Sequence, residues 1–410
     1  MKYPAIIALF GIVLLISCNN QGNKTVDRSV INIEQGLQGL TRLKTSDFGK
    51  NIRFIPLETP DNGLIGRTPI INVLNNYIVV ESQRTCLLFD KKEGSFIAEI
   101  GHFGQGPQEY TDAFSWTDEK EEFLYFRRAP NTLLKFDMQG NFGGQIQFTP
   151  LGLASYYEWD DTGIIGYFDG MNMSGQNMLG FYDKDGLLKD SIPHFSPTSQ
   201  IATDQIAGIS VFRDTLYGIW SRTGVINIDF KNDDKQLITQ NAAKMWRYNG
   251  NVRFKEDFVD TIYTVSDNKL TPYMTFQTGQ YHWPIEDALS SKNTDERVFI
   301  AAVTENDDHV FFQCIKGLYT DHQVLYNGLF DKKTGEIKLS DNNEEIEDDL
   351  TGFIPFKPLG VSTTGEFVSL VESWKVMEWL EKHPEAQSNE NLSFLRGMNA
   401  EMNPVVILIE

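Results

Sequence analysis

Cysteine, basic residues and long apolar runs are all scarce in this 410-residue chain. Its 3 cysteines and 6 scattered histidines predict no metal site, because bound metals require ligands at short, characteristic spacings. The 36 Lys and Arg residues are outnumbered by 56 Asp and Glu, which gives a formal net charge of -20. Such a surface repels nucleic-acid phosphates. We therefore expect no nucleic-acid partner and no metal or other cofactor.

Motifs that carry well-known catalytic chemistry are also missing. The sequence contains no G-x-S-x-G, H-E-x-x-H or C-x-x-C pattern, so it predicts no nucleophile elbow, zinc-binding helix or redox pair. We predict no catalytic residue from these patterns, and a binding protein is the favoured interpretation over an enzyme.

The N-terminus predicts an export signal followed by a lipid anchor. A lysine precedes an apolar run over residues 5–16, which is shorter than the about 20 residues of a membrane-spanning helix. The run ends in Leu-Ile-Ser-Cys, which resembles the bacterial lipobox, whose cysteine becomes the lipidated first residue. We predict a signal peptide over 1–17, lipidation of Cys18 and a flexible tether over 18–29. An acidic run just after the cysteine resembles the surface-export signals of some Gram-negative groups. The tether lacks such a run, which favours an outer-membrane anchor that faces the periplasm.

The other two cysteines, Cys86 and Cys314, lie in apolar segments (TCLLF and FFQCI). Buried free thiols are common in such segments, and this is the favoured interpretation. An oxidising compartment would also permit a disulfide between them, so their pairing stays open at this point.

A hairpin motif recurs along the chain at a nearly fixed interval. Each copy has an aromatic residue, an aspartate, a short polar turn and a glycine, and the first two intervals are 47 and 46 residues. Four short strands per such interval predict the blade of a β-propeller. We interpret the recurring aspartates as turn residues that accept backbone N–H bonds, and not as calcium ligands. They are Asp90, Asp137, Asp183 and Asp331.

These patterns predict an all-β fold: one β-propeller domain over residues 30–410, with four-stranded antiparallel blades. Strands at both ends of this range could close the ring within one blade. An extra meander over 206–240 allows seven blades instead of six. A short amphipathic helix is predicted over 373–382, with Trp374, Met377 and Leu380 as its packing stripe.

Four motifs, in this order, resemble the six-bladed β-propeller lipoproteins of the Bacteroidetes, which are related in form to NHL-repeat propellers. The resemblance covers nearly all of the mature chain and implies six blades, but it implies no settled biochemical activity. The motifs are IPLET at 55–59, GHFGQGPQEY at 101–110, DTIY at 260–263 and NPVV at 403–406.

The glycine-rich stretch at 101–110 is the strongest candidate for chemistry. His102 or Glu109 could act as an acid or base beside glycine N–H groups, with Tyr110 adjoining them. No helix pattern follows, so we favour a tight inter-blade turn whose glycines adopt positive φ. Aromatic residues around Trp246 and Trp283 could line a surface for sugars or peptides.

We therefore expect a lipid-anchored, monomeric cell-envelope propeller that binds an envelope protein, a glycan or a peptide. Membrane contact would be made only through the lipid. The alternative is a propeller enzyme of the lactonase or lyase type, which would hold a metal in its central channel with side chains from several blades.

Overall fold

The structure is a computed structural model that describes residues 28–410 except 67–68, 83, 170–176, 196–202, 213–223, 241–243, 289 and 291. The predicted signal peptide, Cys18 and nearly all of the predicted tether lie outside the described residues. The N-terminal segment precedes the first sheet in the chain, and its two strands pair with sheets that are formed by later parts of the chain. It contains β1 (Val30–Asn32), α1 (Ile33–Gln38), α2 (Thr45–Phe48) and β2 (Ile52–Pro56).

Three four-stranded antiparallel sheets follow, each with its strands in chain order. Sheet 1 contains β3 (Ile70–Val73), β4 (Tyr77–Ser82), β5 (Thr85–Asp90) and β6 (Phe96–Glu99). Two short parallel strands come next, β7 (His102–Phe103) and β8 (Glu109–Tyr110). Sheet 2 contains β9 (Ser115–Thr117), β10 (Phe123–Arg128), β11 (Thr132–Asp137) and β12 (Phe142–Gln147). Sheet 3 contains β13 (Tyr156–Trp159), β14 (Ile164–Tyr167), β15 (Asn177–Tyr182) and β16 (Leu188–Pro193).

A three-stranded sheet then precedes the remaining larger sheets. Its strands are β17 (Ile206–Phe212), β18 (Gly224–Phe230) and β19 (Lys235–Gln240). Sheet 4 contains β20 (Met245–Tyr248), β21 (Asn251–Phe254), β22 (Thr261–Ser266) and β23 (Lys269–Gln277), with β1 parallel to β23 at its edge. Sheet 5 contains β24 (Val298–Glu305), β25 (His309–Lys316), β26 (Val324–Asp331) and β27 (Ile337–Asp341).

Sheet 6 brings the two ends of the described chain together. It contains β28 (Gly360–Val361), β29 (Phe367–Val371), β30 (Val405–Ile409) and β2 as its outermost strand. The β2–β30 pair is antiparallel and runs from Ile52↔Ile409 to Pro56↔Val405. The prediction that strands from both ends share one sheet is confirmed.

At several sheet boundaries the first strands of neighbouring sheets contact one another. Strand β13 of sheet 3 contacts β9 of sheet 2 and also β20 of sheet 4, and β24 of sheet 5 contacts β28 of sheet 6. Sheets 3 and 4 are therefore direct neighbours, although the three-stranded sheet lies between them in the sequence. Together with the four-stranded meanders, these contacts define a predominantly β, propeller-like architecture.

Apolar side chains fill the spaces between the sheets. At the boundary of sheets 6 and 1, for example, Val368 and Val406 pack in one cluster with Ile78 and Val80. Cys86 and Cys314 lie in two different clusters as free, buried thiols. No disulfide joins them, and burial raises the pKa of both thiols.

The recurring aspartates lie in hairpin turns, as predicted. The Asp90 Oδ1 atom accepts the backbone N–H groups of Lys92 at 2.9 Å and Glu93 at 2.7 Å. Asp137, Asp183 and Asp331 accept backbone N–H bonds in the same way. Their interpretation as turn residues is confirmed.

The helix predicted near the C-terminus forms α3 (Ser373–Lys382). Of the predicted packing stripe, Leu380 is buried and Met377 is partly buried against the core, but Trp374 was wrong, and Ser373 and Val376 complete the buried face. Trp374 is 46% exposed and lies beside the Lys375 ammonium. The other helical segments in the described part of the chain are 3-10 turns: Thr203–Gln205, Gly279–Tyr281, Ile285–Asp287, Pro384–Ser388 and Glu390–Leu395.

Candidate functional site

A polar cavity of about 1270 Å³ is lined by the first hairpin turn of each of the six larger sheets. Among the described residues, the three-stranded sheet contributes nothing to this lining. Six turns can reach one space only if the six sheets are arranged around it. We call this space the six-turn cavity. The turn residues that line it are Asn75, 119–121, Asp160, 249–250, 306–308 and 362–365.

The turn in sheet 4 illustrates why polar residues occupy these positions. Asn249 and Gly250 have φ angles of 49° and 69°, so both central residues of this two-residue hairpin adopt the left-handed conformation. Asn-Gly is the preferred pair for such a turn, because asparagine tolerates positive φ and glycine has no side chain to clash. Tight hairpins therefore place small polar residues at the cavity.

Glu305 is the most deeply buried carboxylate of the lining, and its side chain is 1% exposed. Lys332 Nζ lies 2.5 Å from it and Arg253 Nε lies 3.4 Å from it. Trp246 Nε1 and Tyr273 Oη also donate hydrogen bonds to it, each at 3.1 Å. A buried carboxylate is costly unless cations and donors surround it. These contacts therefore lock sheets 4 and 5 together beside the cavity.

Tyr248 forms part of the cavity wall above this network. Lys332 Nζ lies 3.8 Å from the centre of its ring, and the Arg253 guanidinium carbon lies 5.6 Å away. Burial, together with a hydrogen bond to Asp307, raises the pKa of Tyr248 to about 12. Cation–π contacts of this kind hold an aromatic ring in a fixed orientation.

A second buried ion pair joins sheets 1 and 6 at the cavity wall. Lys91 Nζ lies 2.9 Å from Glu366 Oε1, and the hydroxyls of Ser362 and Thr364 donate to the same carboxylate. Burial opposes ionisation of Glu366, but these three partners outweigh it and lower its pKa to about 2. Glu366 is therefore ionised at neutral pH.

Arg247 connects three sheets near the cavity. Its Nε atom lies 3.0 Å from Glu158 Oε2 of sheet 3, and its Nη2 atom donates to the Thr117 carbonyl of sheet 2 at 2.9 Å. Trp159 lines the cavity beside Glu158, with its ring 4.6 Å from that of Tyr125. An arginine fork suits this bridging role because it presents several donors in one plane.

The glycine-rich stretch predicted as a candidate lies away from the six-turn cavity. His102 is exposed, with Nδ1 3.6 Å from Glu99 Oε1. Glu109 Oε2 accepts the Gly106 N–H at 2.7 Å, and a Cβ on Gly104 would collide with the same carboxylate. Only Gly101 has a positive φ, of 61°. The prediction of positive φ was wrong for Gly104 and Gly106.

The aromatic candidates divide between the core and the Glu305 network. Tyr110 has no exposed surface and stacks on Phe126 at 4.6 Å. Trp283 is 2% exposed and donates through Nε1 to the Asp287 carbonyl. Trp246 lies near the cavity, but its N–H is bonded to Glu305. The structure does not bring these predicted candidates together at one site.

Neither a metal-binding cluster nor a membrane-spanning helix is found in the described part of the chain. No three His, Cys, Asp or Glu side chains there are grouped as metal ligands. None of the helices described is long and apolar enough to cross a bilayer.

The sheets and their shared cavity define a β-propeller protein. The chain belongs to the family described as a domain of unknown function (DUF4934), whose model matches residues 28–410. That description says nothing of six blades or lipidation, so the finer resemblance to Bacteroidetes lipoproteins stays a prediction. No curated protein matches the chain.

Solved structures resemble the chain in fold. One is described as "a Putative exported protein" from Bacteroides fragilis, with 15% identity and a TM-score of 0.63, covering 93% of this chain and 98% of that one. The RRP9 WD40 repeats match at 10% identity and a TM-score of 0.41, covering 90% and 99%. BamB from Moraxella catarrhalis matches at 6% identity and a TM-score of 0.34, covering 88% and 98%. At these identities only the fold of the first is informative.

Proposed function

We propose that this chain is a lipid-anchored, six-bladed propeller of the bacterial cell envelope that binds a ligand in the six-turn cavity. The observation that carries the proposal is the convergence of six hairpin turns on one polar space of about 1270 Å³. Ligand pockets in proteins typically measure about 300 to 1,000 Å³, so the space is large enough for a small molecule or a short polymer.

Six blades, instead of seven, agree best with the contacts between sheets. Strand β13 contacts β20 directly, which leaves no place for a further blade between sheets 3 and 4. The three-stranded sheet is then an insertion outside the ring. Buried ion pairs between the sheets hold the cavity walls in place and make the site rigid. A rigid site favours a ligand whose shape already fits the cavity.

Attachment to the envelope is supported by the sequence of residues 1–18 and by the exported protein that shares this fold. Replacing Cys18 by Ala should abolish incorporation of labelled palmitate and move the protein from the membrane to the soluble fraction. Protease treatment of intact cells should leave the wild-type protein uncut, because the anchor faces the periplasm. Cutting of wild-type protein in intact cells would place it on the cell surface instead.

Binding is tested by screening the purified monomer against arrays of envelope glycans and peptides. Thr363 is exposed and lines the cavity, so Thr363→Trp should fill part of the space and abolish binding. Thr41 is also exposed but lies outside the lining, and it donates its backbone N–H to the Leu339 carbonyl. Thr41→Trp is therefore the matched control. Equal binding by both variants would contradict the proposed site.

A further inference from the structure

We infer that the ligand of the six-turn cavity is a saccharide that carries a positively charged amine; this inference rests on the proposed function. Seven carboxylates line the cavity without an ion pair to any cation in the described part of the chain. Only two lining lysines, Lys50 and Lys120, are likewise unpaired there. The carboxylates are Glu119, Glu121, Asp160, Asp307, Asp331, Glu336 and Glu410.

The remaining charges of the lining are neutralised by close partners. Asp47 pairs with Lys338 at 2.6 Å, and Asp308 pairs with Lys333 at 2.6 Å. Glu305 and Glu366 are held in the buried networks described above. The seven unpaired carboxylates therefore outnumber the two unpaired lysines as groups that can attract a ligand charge. Concave walls with an excess of one sign concentrate the electric field in the space between them, so a cation gains more than a neutral or anionic ligand.

Neutral hydrogen-bonding groups in the same cavity favour a sugar over a simple cation. Trp159 is 8% exposed and lines the cavity, and within the described residues its indole N–H has no hydrogen-bond partner. This N–H is not one of the fully buried atoms that lack a partner, so it is accessible and can donate to a ligand oxygen. The side-chain amides of Asn75 and Asn249 face the same space. Hydroxyl and ring oxygens of a saccharide satisfy these groups, while its ammonium faces the carboxylates.

The test uses two probes that share one scaffold and differ in charge. They are a β-1,4-linked trimer of glucosamine and its fully N-acetylated, uncharged counterpart. Titration calorimetry at low salt should show at least about tenfold tighter binding of the amine form, and added salt should reduce the difference. Trilysine, a cation without sugar hydroxyls, should bind more weakly than the glucosamine trimer.

Variants locate the effect within the cavity. Glu119→Gln and Glu336→Gln should each weaken binding of the glucosamine trimer about fivefold, because each removes one unpaired charge near the ligand. Glu381→Gln removes an exposed carboxylate of α3 outside the cavity and should leave affinity unchanged. Thr363→Trp should abolish binding of the trimer.

Several results would overturn this inference, and they can be told apart from failure of the proposed function. Equal affinity for the two trimers, both lost in Thr363→Trp, would refute the cationic ligand but leave the cavity as a binding site. Tighter binding of trilysine would refute the saccharide. Equal weakening by Glu381→Gln and Glu119→Gln would show non-specific attraction to an acidic protein. No binding of either trimer would also refute the inference.

Discussion

Replacing Lys91 by Met should destabilise the protein where the two ends of the ring meet, because Lys91 and Glu366 form the buried ion pair between sheets 1 and 6. The Lys91 side chain is 5% exposed. Its loss leaves a buried Glu366 carboxylate without its nearest cation. Removing one partner of a buried pair costs about 3 to 5 kcal/mol. The lower end applies here because Arg53 Nη2 lies 3.9 Å from the same carboxylate.

The pKa of Glu366, which Lys91 helps to lower, gives a second magnitude for the same site. Folding lowers this pKa from 4.5 to about 2, which corresponds to a stabilisation of about 3 kcal/mol. Because the pKa is lower in the folded state, this stabilisation is complete above about pH 4.5 and is lost as the pH falls towards 2. Glu366→Gln should remove this part of the pH dependence.

Urea unfolding followed by circular dichroism, at pH 7 and pH 3, measures both effects. Lys92→Met is the matched control, because the neighbouring Lys92 is 84% exposed and, among the residues described, forms an ion pair with Glu93 alone; its free energy of unfolding should stay within about 0.5 kcal/mol of wild type. The double variant Lys91→Met/Glu366→Gln should recover much of the lost stability. A loss below 1 kcal/mol for Lys91→Met, or a double variant less stable than the single one, would refute the reasoning.

Three further predictions follow from the same geometry. Gly104→Ala should destabilise the β7–β8 turn by about 1 kcal/mol, measured by thermal unfolding, because its Cβ would displace the Glu109 carboxylate from its hydrogen bond with the Gly106 N–H; an unchanged melting temperature would contradict this. Glu305→Gln should lower the unfolding free energy by about 3 kcal/mol, because Arg253 and Lys332 lose their shared carboxylate; a urea midpoint equal to wild type would argue against it. Both remaining cysteines should resist a thiol reagent until urea unfolds the protein, since they are buried with raised pKa; rapid labelling of the native protein would disprove this.

Local sequence patterns predicted the sheets well. The four short strands predicted per repeat interval are found, for example, as β3–β6, because the aspartate–turn–glycine motif and short apolar runs are local signals. The turn role of the repeated aspartates followed from the same motif. Apolar residues at helical spacing predicted α3 correctly. The same spacing did not reveal that Trp374 faces solvent, because its exposure depends on the angle at which the helix packs.

The six-turn cavity could not be predicted in the same way. Its residues come from turns spread between Asn75 and Gly365, and only the radial arrangement of the sheets brings them together. The signal that could have found them is the polar pair or triplet between the first and second strand of each set, such as Asn249-Gly250. Ion pairs such as Glu305 with Arg253 join different sheets, so no sequence spacing marks them.

A crystal structure of residues 28–410 with the glucosamine trimer bound tests the central claim most directly. The account predicts electron density for the trimer between the first hairpin turns of at least three sheets, beside Trp159 and Glu119, within a ring of six blades. Density only on another surface, or a seventh blade between sheets 3 and 4, would contradict it.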